Sequence, residues 1–207
     1  MKRFVLAAAI AAFAIAPMTT HAQKGWKLRA DRSTSATDPD APGDIKFMDM
    51  SGTLHVITPQ AAVFWNPANT ATGNYTLKGS FKLMKPSGHS NFYGLVFGGS
   101  NLEGPTQAYT YFLVDQTGTW LIKKRDGDTA TSNVAPKTPS DAVKKPGADG
   151  TSVNELEVRV GADKVDFVVN GTVVSSMPKA GLKTDGIVGF RSNHLLEVQV
   201  TGFGTTK

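Results

Sequence analysis

The sequence contains no cysteine and only four glutamates, Glu103, Glu155, Glu157 and Glu197. Without cysteine there is no disulfide, thiol nucleophile or thiolate-bound zinc, so stability has to come from packing and hydrogen bonding. The shortage of glutamate bears on glycoside hydrolysis, which normally sets two carboxylates across the scissile bond. Glu155 and Glu157 share a face at two-residue spacing, but they alternate with Leu156 and Val158 and read as the solvated side of a half-buried strand. The sequence also lacks a nucleophile elbow, a phosphate-binding loop and a dinucleotide fingerprint. Gly and Pro, 21 and 11 of 207 residues, are too few for a low-complexity chain, and a 40% hydrophobic content is too high for a disordered one.

Charge excludes little. Lys and Arg number 22 against 17 Asp and Glu, a net charge of +5. These basic residues are scattered, and the longest run, Lys123-Lys124-Arg125, reads as a solvated strand edge. With no basic stripe on a helix, a nucleic-acid partner is not expected.

The first residues set an expected address. Lys2 and Arg3 precede an apolar run from Phe4 to Ala16, and Thr20-His21-Ala22 forms a small-residue cleavage site, so residues 1–22 are expected to be a cleaved signal peptide of the Sec type. The run is shorter than the roughly 20 residues a spanning helix needs, which leaves no membrane span after cleavage. A bacterial periplasmic or secreted protein follows, with its formal charge lowered to +3 by the loss of Lys2 and Arg3.

Period-two alternation runs through the remainder. Tyr75 to Leu83 and Asn154 to Val160 alternate apolar and polar residues, as do Leu196, Val198 and Val200 with Glu197 and Gln199. Asn170-Gly171 between apolar runs is a strong two-residue hairpin signal, because both residues tolerate positive φ. Phe92 to Phe97 and Tyr109 to Val114 are apolar at nearly every position, so those strands should be covered on both sides or line a concave surface. No helical stripe appears after the signal. The expected fold class is all-β, a two-sheet antiparallel sandwich. Residues 23–43 read as an irregular N-terminal arm, 44–204 as the sandwich domain, and 126–151, rich in Gly, Pro and Ser, as a long loop that could serve as a contact surface for a protein partner.

The order of segments resembles a known architecture. The strand from Gly52 to Val56, then VFW (63–65), YTLKGSFKL (75–83), FYGLVFGG (92–99), AYTYFLVDQTGTWLIKKRDG (108–127), NELEVRVGADKVDFVVNG (154–171), DGIVGFRSN (185–193) and VQVTGF (198–203) are similar to the concanavalin A-like, laminin-G-like jelly roll. Within it the chain resembles exported bacterial domains of the 3-keto-disaccharide hydrolase family, and the likeness covers residues 44 to 204. Family members with hydrolase-type sites carry GVFFRG, YEVQ and GLQxH where this sequence has GLVFGG (94–99), YTYF (109–112) and GFRSN (189–193). Gly98, Thr110, Phe112, Arg191 and Asn193 therefore stand where that family places its polar set. The resemblance implies saccharide binding on the concave face and its rim, with the catalytic set largely substituted.

Candidate ligand contacts on that face and rim are Trp65, His89, Asn91, Phe112, Arg191 and Asn193. Trp65, ahead of Asn66-Pro67, is expected at a strand end, offering a ring on which a sugar could stack. His55, His89 and His194 have no metal-ligand spacing in sequence, though His89 and His194 follow turn residues and could meet at one rim. No cofactor is expected; calcium is the one candidate ion, at Asp38, Asp40 and Asp44, which offer oxygen ligands in one short loop without EF-hand spacing. The leading reading is an exported carbohydrate-binding jelly roll with a saccharide or polysaccharide partner. Its rivals are a hydrolase acting on glycosides or 3-keto-disaccharides, and an accessory interaction module.

Overall fold

The computed structural model describes residues 25–207; the expected signal peptide, residues 1–22, lies outside them. Among the described residues, fourteen strands form two sheets of seven, all paired antiparallel. They are β1 (Lys27–Asp31), β2 (Lys46–Met50), β3 (Thr53–Thr58), β4 (Ala61–Ala71), β5 (Tyr75–Lys85), β6 (Phe92–Ser100), β7 (Ala108–Asp115), β8 (Thr119–Asp126), β9 (Ala130–Pro139), β10 (Ser152–Val160), β11 (Lys164–Val169), β12 (Thr172–Pro178), β13 (Gly186–Ser192) and β14 (Leu196–Thr206). The first sheet runs β1-β4-β13-β6-β7-β8-β9 and the second β12-β11-β10-β5-β14-β3-β2. This is the all-β sandwich that the alternation implies.

Alternation builds the core. On β5 the residues Tyr75, Leu77, Phe81 and Leu83 are buried, and on β10 Leu156, Val158 and Val160 are, while their neighbours face solvent. Side chains of period two pack between the sheets, where Phe64 stacks on Phe190 at 4.8 Å and Phe112 meets Phe167 edge-on at 5.3 Å. Asn170 and Gly171, with φ of 49° and 83°, close the β11–β12 hairpin as their sequence implies.

β6 and β7 are buried on both faces. Tyr93, Leu95, Phe97, Phe112 and Val114 point between the sheets. Phe92, Val96, Tyr109, Tyr111 and Leu113 form a second apolar cluster with Val63, Trp65, Leu102 and Leu121, on the face turned away from the second sheet. Arg29 donates to the carbonyls of Leu102 and Gly104, and to Asp128 at 2.6 Å, so the turn holding Leu102 is tied down over that cluster.

Three sequence expectations are corrected. The supposed loop 126–151 contains β9, which pairs with β8. β9 is the outermost strand of its sheet and mostly exposed, with only Val134 and Ala135 partly buried against the core, so it shows no alternation, and an edge strand tolerates Pro136 and Pro139 because one side of its backbone needs no ladder partner. The supposed irregular arm contains β1, aligned on β4 from Lys27↔Trp65 to Asp31↔Ala61. Arg125, read as part of a solvated basic edge, is 7% exposed and ion-paired with Asp31.

Candidate functional site

The face on which a sugar was expected is filled by the protein itself. Trp65 stands in the middle of the eleven-residue β4 rather than at a strand end, and is 2% exposed. Pro67 does not end the strand, because β1 stops opposite Trp65 and the β13 register breaks between Ile187 and Gly189, leaving residues 66–69 outside both ladders. Phe112 points the other way, into the inter-sheet core against Trp120 and Phe167. Neither ring is open to a ligand. Arg191 is also sealed: its Nη2 donates to Asp31 Oδ2 at 2.6 Å, its Nη1 to the Tyr109 hydroxyl at 3.1 Å, its Nε to Asn193 Oδ1 at 3.3 Å, and its guanidinium lies over the Tyr111 ring at 5.5 Å. Burial works against its charge, but the tyrosines and Asp31 outweigh burial and hold the guanidinium firmly protonated.

Polar chemistry gathers instead at one end of the sandwich. β1 ends where β4 begins, β13 ends beside the starts of β4 and β6, and β7 ends opposite the start of β6. The loops leaving these ends are neighbours although they are far apart in sequence. They are the β1–β2 loop with Asp38 and Asp40, the β5–β6 turn with His89 and Asn91, and the β13–β14 turn with Asn193 and His194.

Each is braced locally. In the first loop Ser33 donates its backbone N–H to Asp40 Oδ2 at 2.8 Å and its hydroxyl to the Asp38 carbonyl at 2.6 Å. In the second, the Ser87 N–H and carbonyl are both held by the Gln116 side chain, at 3.0 and 2.8 Å. Ser90 donates to Asp115, a fully buried carboxylate that also accepts from the backbone N–H groups of Thr117 and Thr119. Burial would raise the Asp115 pKa, yet these donors hold it below the ordinary carboxylate value. In the third, Asn193 donates its N–H to the Phe92 carbonyl at 2.8 Å, and Thr58 reaches the Asn193 carbonyl at 2.6 Å.

The result is a convergent cluster. His89 Nε2 and Asp38 Oδ1 are 2.8 Å apart, His194 Nε2 and Asp38 Oδ1 3.1 Å, and the two Nε2 atoms 3.1 Å. Behind them Asp40 Oδ1 accepts from His194 Nδ1 at 3.0 Å, and Asn91 Nδ2 lies 3.2 Å from His89 Nε2. His194 is 5% exposed, whereas His89 and Asp38 are open to solvent. Asp31, Arg32, Asp38, Asn91, Asn193 and His194 are among the residues that line a cleft of about 250 Å³ beside the cluster.

Of the residues singled out from sequence, His89, Asn91, Asn193, Asp38 and Asp40 therefore meet at one site, with Arg191 beneath it. Trp65 and Phe112 are elsewhere. Asp44 is also apart, lining a separate groove with Lys46 and Lys85, so the three aspartates do not form one calcium cage. His194 was missing from the sequence-derived set although its position after a turn hinted at the rim. Its role depends on Asp40 and His89, which no local pattern links to it. Three of the four glutamates are in ion pairs, Glu103 with Lys27, Glu157 with Arg159 and Glu197 with His55, and Glu155 is exposed.

No family profile matches the chain, and no curated protein matches it. Solved structures do. A carbohydrate-binding module, CBM66 from Bacillus subtilis, aligns with a TM-score of 0.53 at 12% identity over 88% of this chain and 96% of its own. A Bacillus subtilis protein with a galectin-like fold gives 0.54 at 14% identity over 88% and 89%, and the endo-beta-1,3-glucanase of Pyrococcus furiosus 0.55 at 12% over 86% of each. At such identities the likeness speaks for the fold alone, and it does not single out the 3-keto-disaccharide hydrolase group. The protein is a jelly-roll sandwich of the galectin-like and concanavalin A-like kind.

Proposed function

We propose that this chain is an exported carbohydrate-binding jelly-roll protein that seats its ligand in the loop-end cleft, and not on the aromatic face. The observation that carries the reading is the cleft wall. Asp31, Ser33, Thr34, Asn91 and Asn193 supply carboxylate, hydroxyl and amide groups around about 250 Å³. Such groups match the paired donors and acceptors of vicinal hydroxyls. The volume is below the roughly 300–1,000 Å³ of pockets for drug-sized ligands, which suits a single sugar residue at a chain end. A fold shared with a carbohydrate-binding module adds support.

The test is a calorimetric and glycan-array screen of the purified protein. Binding of at least one saccharide is expected, weakened about tenfold, or roughly 1.4 kcal/mol, by Asn193→Ala or Arg32→Ala and left alone by Trp65→Phe. No saccharide bound, or sensitivity to Trp65→Phe without sensitivity to the cleft variants, refutes it. The His194–Asp40 pair favours a second reading, hydrolysis of a glycoside or 3-keto-disaccharide, since a carboxylate-oriented imidazole is a common general acid–base device. Turnover of chromogenic glycosides or 3-keto-glucosides, lost in His194→Ala, would decide for it.

A further inference from the structure

Three atoms able to offer lone pairs, from Asp38, His89 and His194, converge on one point. Asp40 accepts from His194 Nδ1, which places that ring's proton on Nδ1 and turns a bare Nε2 toward Asp38 and His89. His89 Nε2, 2.8 Å from Asp38 Oδ1 and 3.1 Å from His194 Nε2, offers a second lone pair when its ring proton sits on Nδ1. Asp38 Oδ1 is the third acceptor, within 2.8 to 3.1 Å of both nitrogens. With both rings in that tautomer, three acceptors at such separations are held together by a shared proton or by a metal ion set among them.

We propose that Asp38, His89 and His194 form a binding site for a divalent first-row transition ion of the zinc class. The spacing fits. Donor atoms about 2.0–2.2 Å from a shared ion stand roughly 2.8–3.1 Å apart at adjacent octahedral positions and about 3.3–3.6 Å apart in a tetrahedron, and the three separations here, 2.8, 3.1 and 3.1 Å, match adjacent octahedral positions. The donor set chooses the ion: two imidazoles and one carboxylate suit zinc and its neighbours, whereas calcium seeks six to eight oxygens. The support behind the ligands fits as well, because a carboxylate holding the far nitrogen of a ligating histidine fixes its tautomer and orientation. Asp40 does this for His194, and Asp40 is in turn held by the Ser33 N–H at 2.8 Å. The loops that bring the ligands are fastened independently of any ion, through Ser87 to Gln116 and through Asn193 to Phe92. Three protein ligands leave coordination positions for water or a small oxygen ligand, and Asp38 and His194 also line the cleft.

The experiment is a titration of the chelator-treated protein with Zn²⁺, and separately with Co²⁺, in the absence of any saccharide, followed by calorimetry and by the visible absorption of bound Co²⁺. One equivalent of each is expected. His89→Ala and Asp38→Ala, both at exposed positions, should weaken Zn²⁺ binding at least 100-fold, Asp40→Asn by about 10–100-fold, and Asp44→Asn and His55→Ala not at all. Circular dichroism of each metal-free variant checks that the sandwich is intact, and His89→Ala and Asp38→Ala keep the test open should the buried His194→Ala fail to fold. The proposal is overturned by an absence of saturable Zn²⁺ binding, by stoichiometric binding that survives His89→Ala and Asp38→Ala, or by tighter binding of Ca²⁺ than of Zn²⁺. Because no sugar is present, failure here leaves the saccharide reading standing, and failure of the glycan screen leaves this one.

Discussion

Replacing Asp31 by Asn should destabilise the sandwich far more than a change at a strand end normally does. Asp31 closes β1 and accepts from both Arg125 and Arg191, whose side chains are 7% and 9% exposed. The substitution keeps the size of the side chain and removes its charge, leaving two buried guanidiniums side by side without a counter-ion. Breaking a buried ion pair by neutralising one partner costs about 3–5 kcal/mol. The Asp31 side chain is 24% exposed, so water screens part of the effect, and about 2–4 kcal/mol is expected. Urea unfolding followed by tryptophan fluorescence reads this directly. With a slope of about 2–3 kcal/mol per molar urea, the midpoint should fall by roughly 1–2 M. The triple variant Asp31→Leu, Arg125→Met, Arg191→Met should recover most of that loss, since apolar replacements of a whole buried charge cluster are often neutral. A midpoint change under about 0.3 M for Asp31→Asn, or a triple variant weaker than the single one, would refute the claim that an uncompensated charge is what hurts.

Asp115 makes a pH prediction. Its folded-state pKa is depressed, so its contribution is complete above the unfolded value near 3.8 and disappears as pH falls through the lower folded value. Asp115→Asn should therefore be less stable than the parent at neutral pH but lose less between about pH 4 and pH 2; parallel acid-unfolding curves would contradict this. Phe112→Ala should cost about 3–5 kcal/mol in chemical denaturation and leave saccharide affinity intact, and a selective loss of affinity in a stably folded variant would return Phe112 to the binding site. Gly189→Ala and Gly171→Ala should separate in a thermal melt. A β-carbon at Gly189 runs into the Phe64 carbonyl in the adjoining strand, whereas at Gly171 it meets nothing within 4 Å and strains only a φ of 83°. The latter should cost about 1–2 kcal/mol, a Tm drop of a few degrees, and Gly189→Ala several times more; the reverse order would be inconsistent with the packing.

Much of the fold was legible in the sequence. β5, β10 and β14 announce themselves because each buries one face, and alternation is the direct record of one-sided burial, while Asn170-Gly171 marks the β11–β12 hairpin. β9 was not legible, since an edge strand that packs only Val134 and Ala135 partly against the core leaves no alternation, and β1 was hidden by its five-residue length and polar composition. The site was legible only in part. His89, Asn91, Asn193, Asp38 and Asp40 could be named as candidates, and the turns before His89 and His194 pointed to a meeting at one rim, but the joining of Asp38 and Asp40 to that pair, and the exclusion of Trp65, Phe112 and Asp44, could not be read.

Sequence by itself determined what is local: a cysteine-free, helix-poor chain whose apolar period of two makes strands, and an Asn-Gly hairpin. Tertiary structure decided which side of each strand faces the core and which loops meet. Trp65 and Arg191 look like ligand groups until β1 and the turn at Leu102 close over them. Asp38 looks unrelated to His89 and His194 until strand order brings the ends of β1, β5 and β13 to the same end of the sandwich. The physical reason is that strand formation depends on neighbours two residues apart, whereas a site built from three turns depends on the order of strands in the sheets, which is a property of the whole chain.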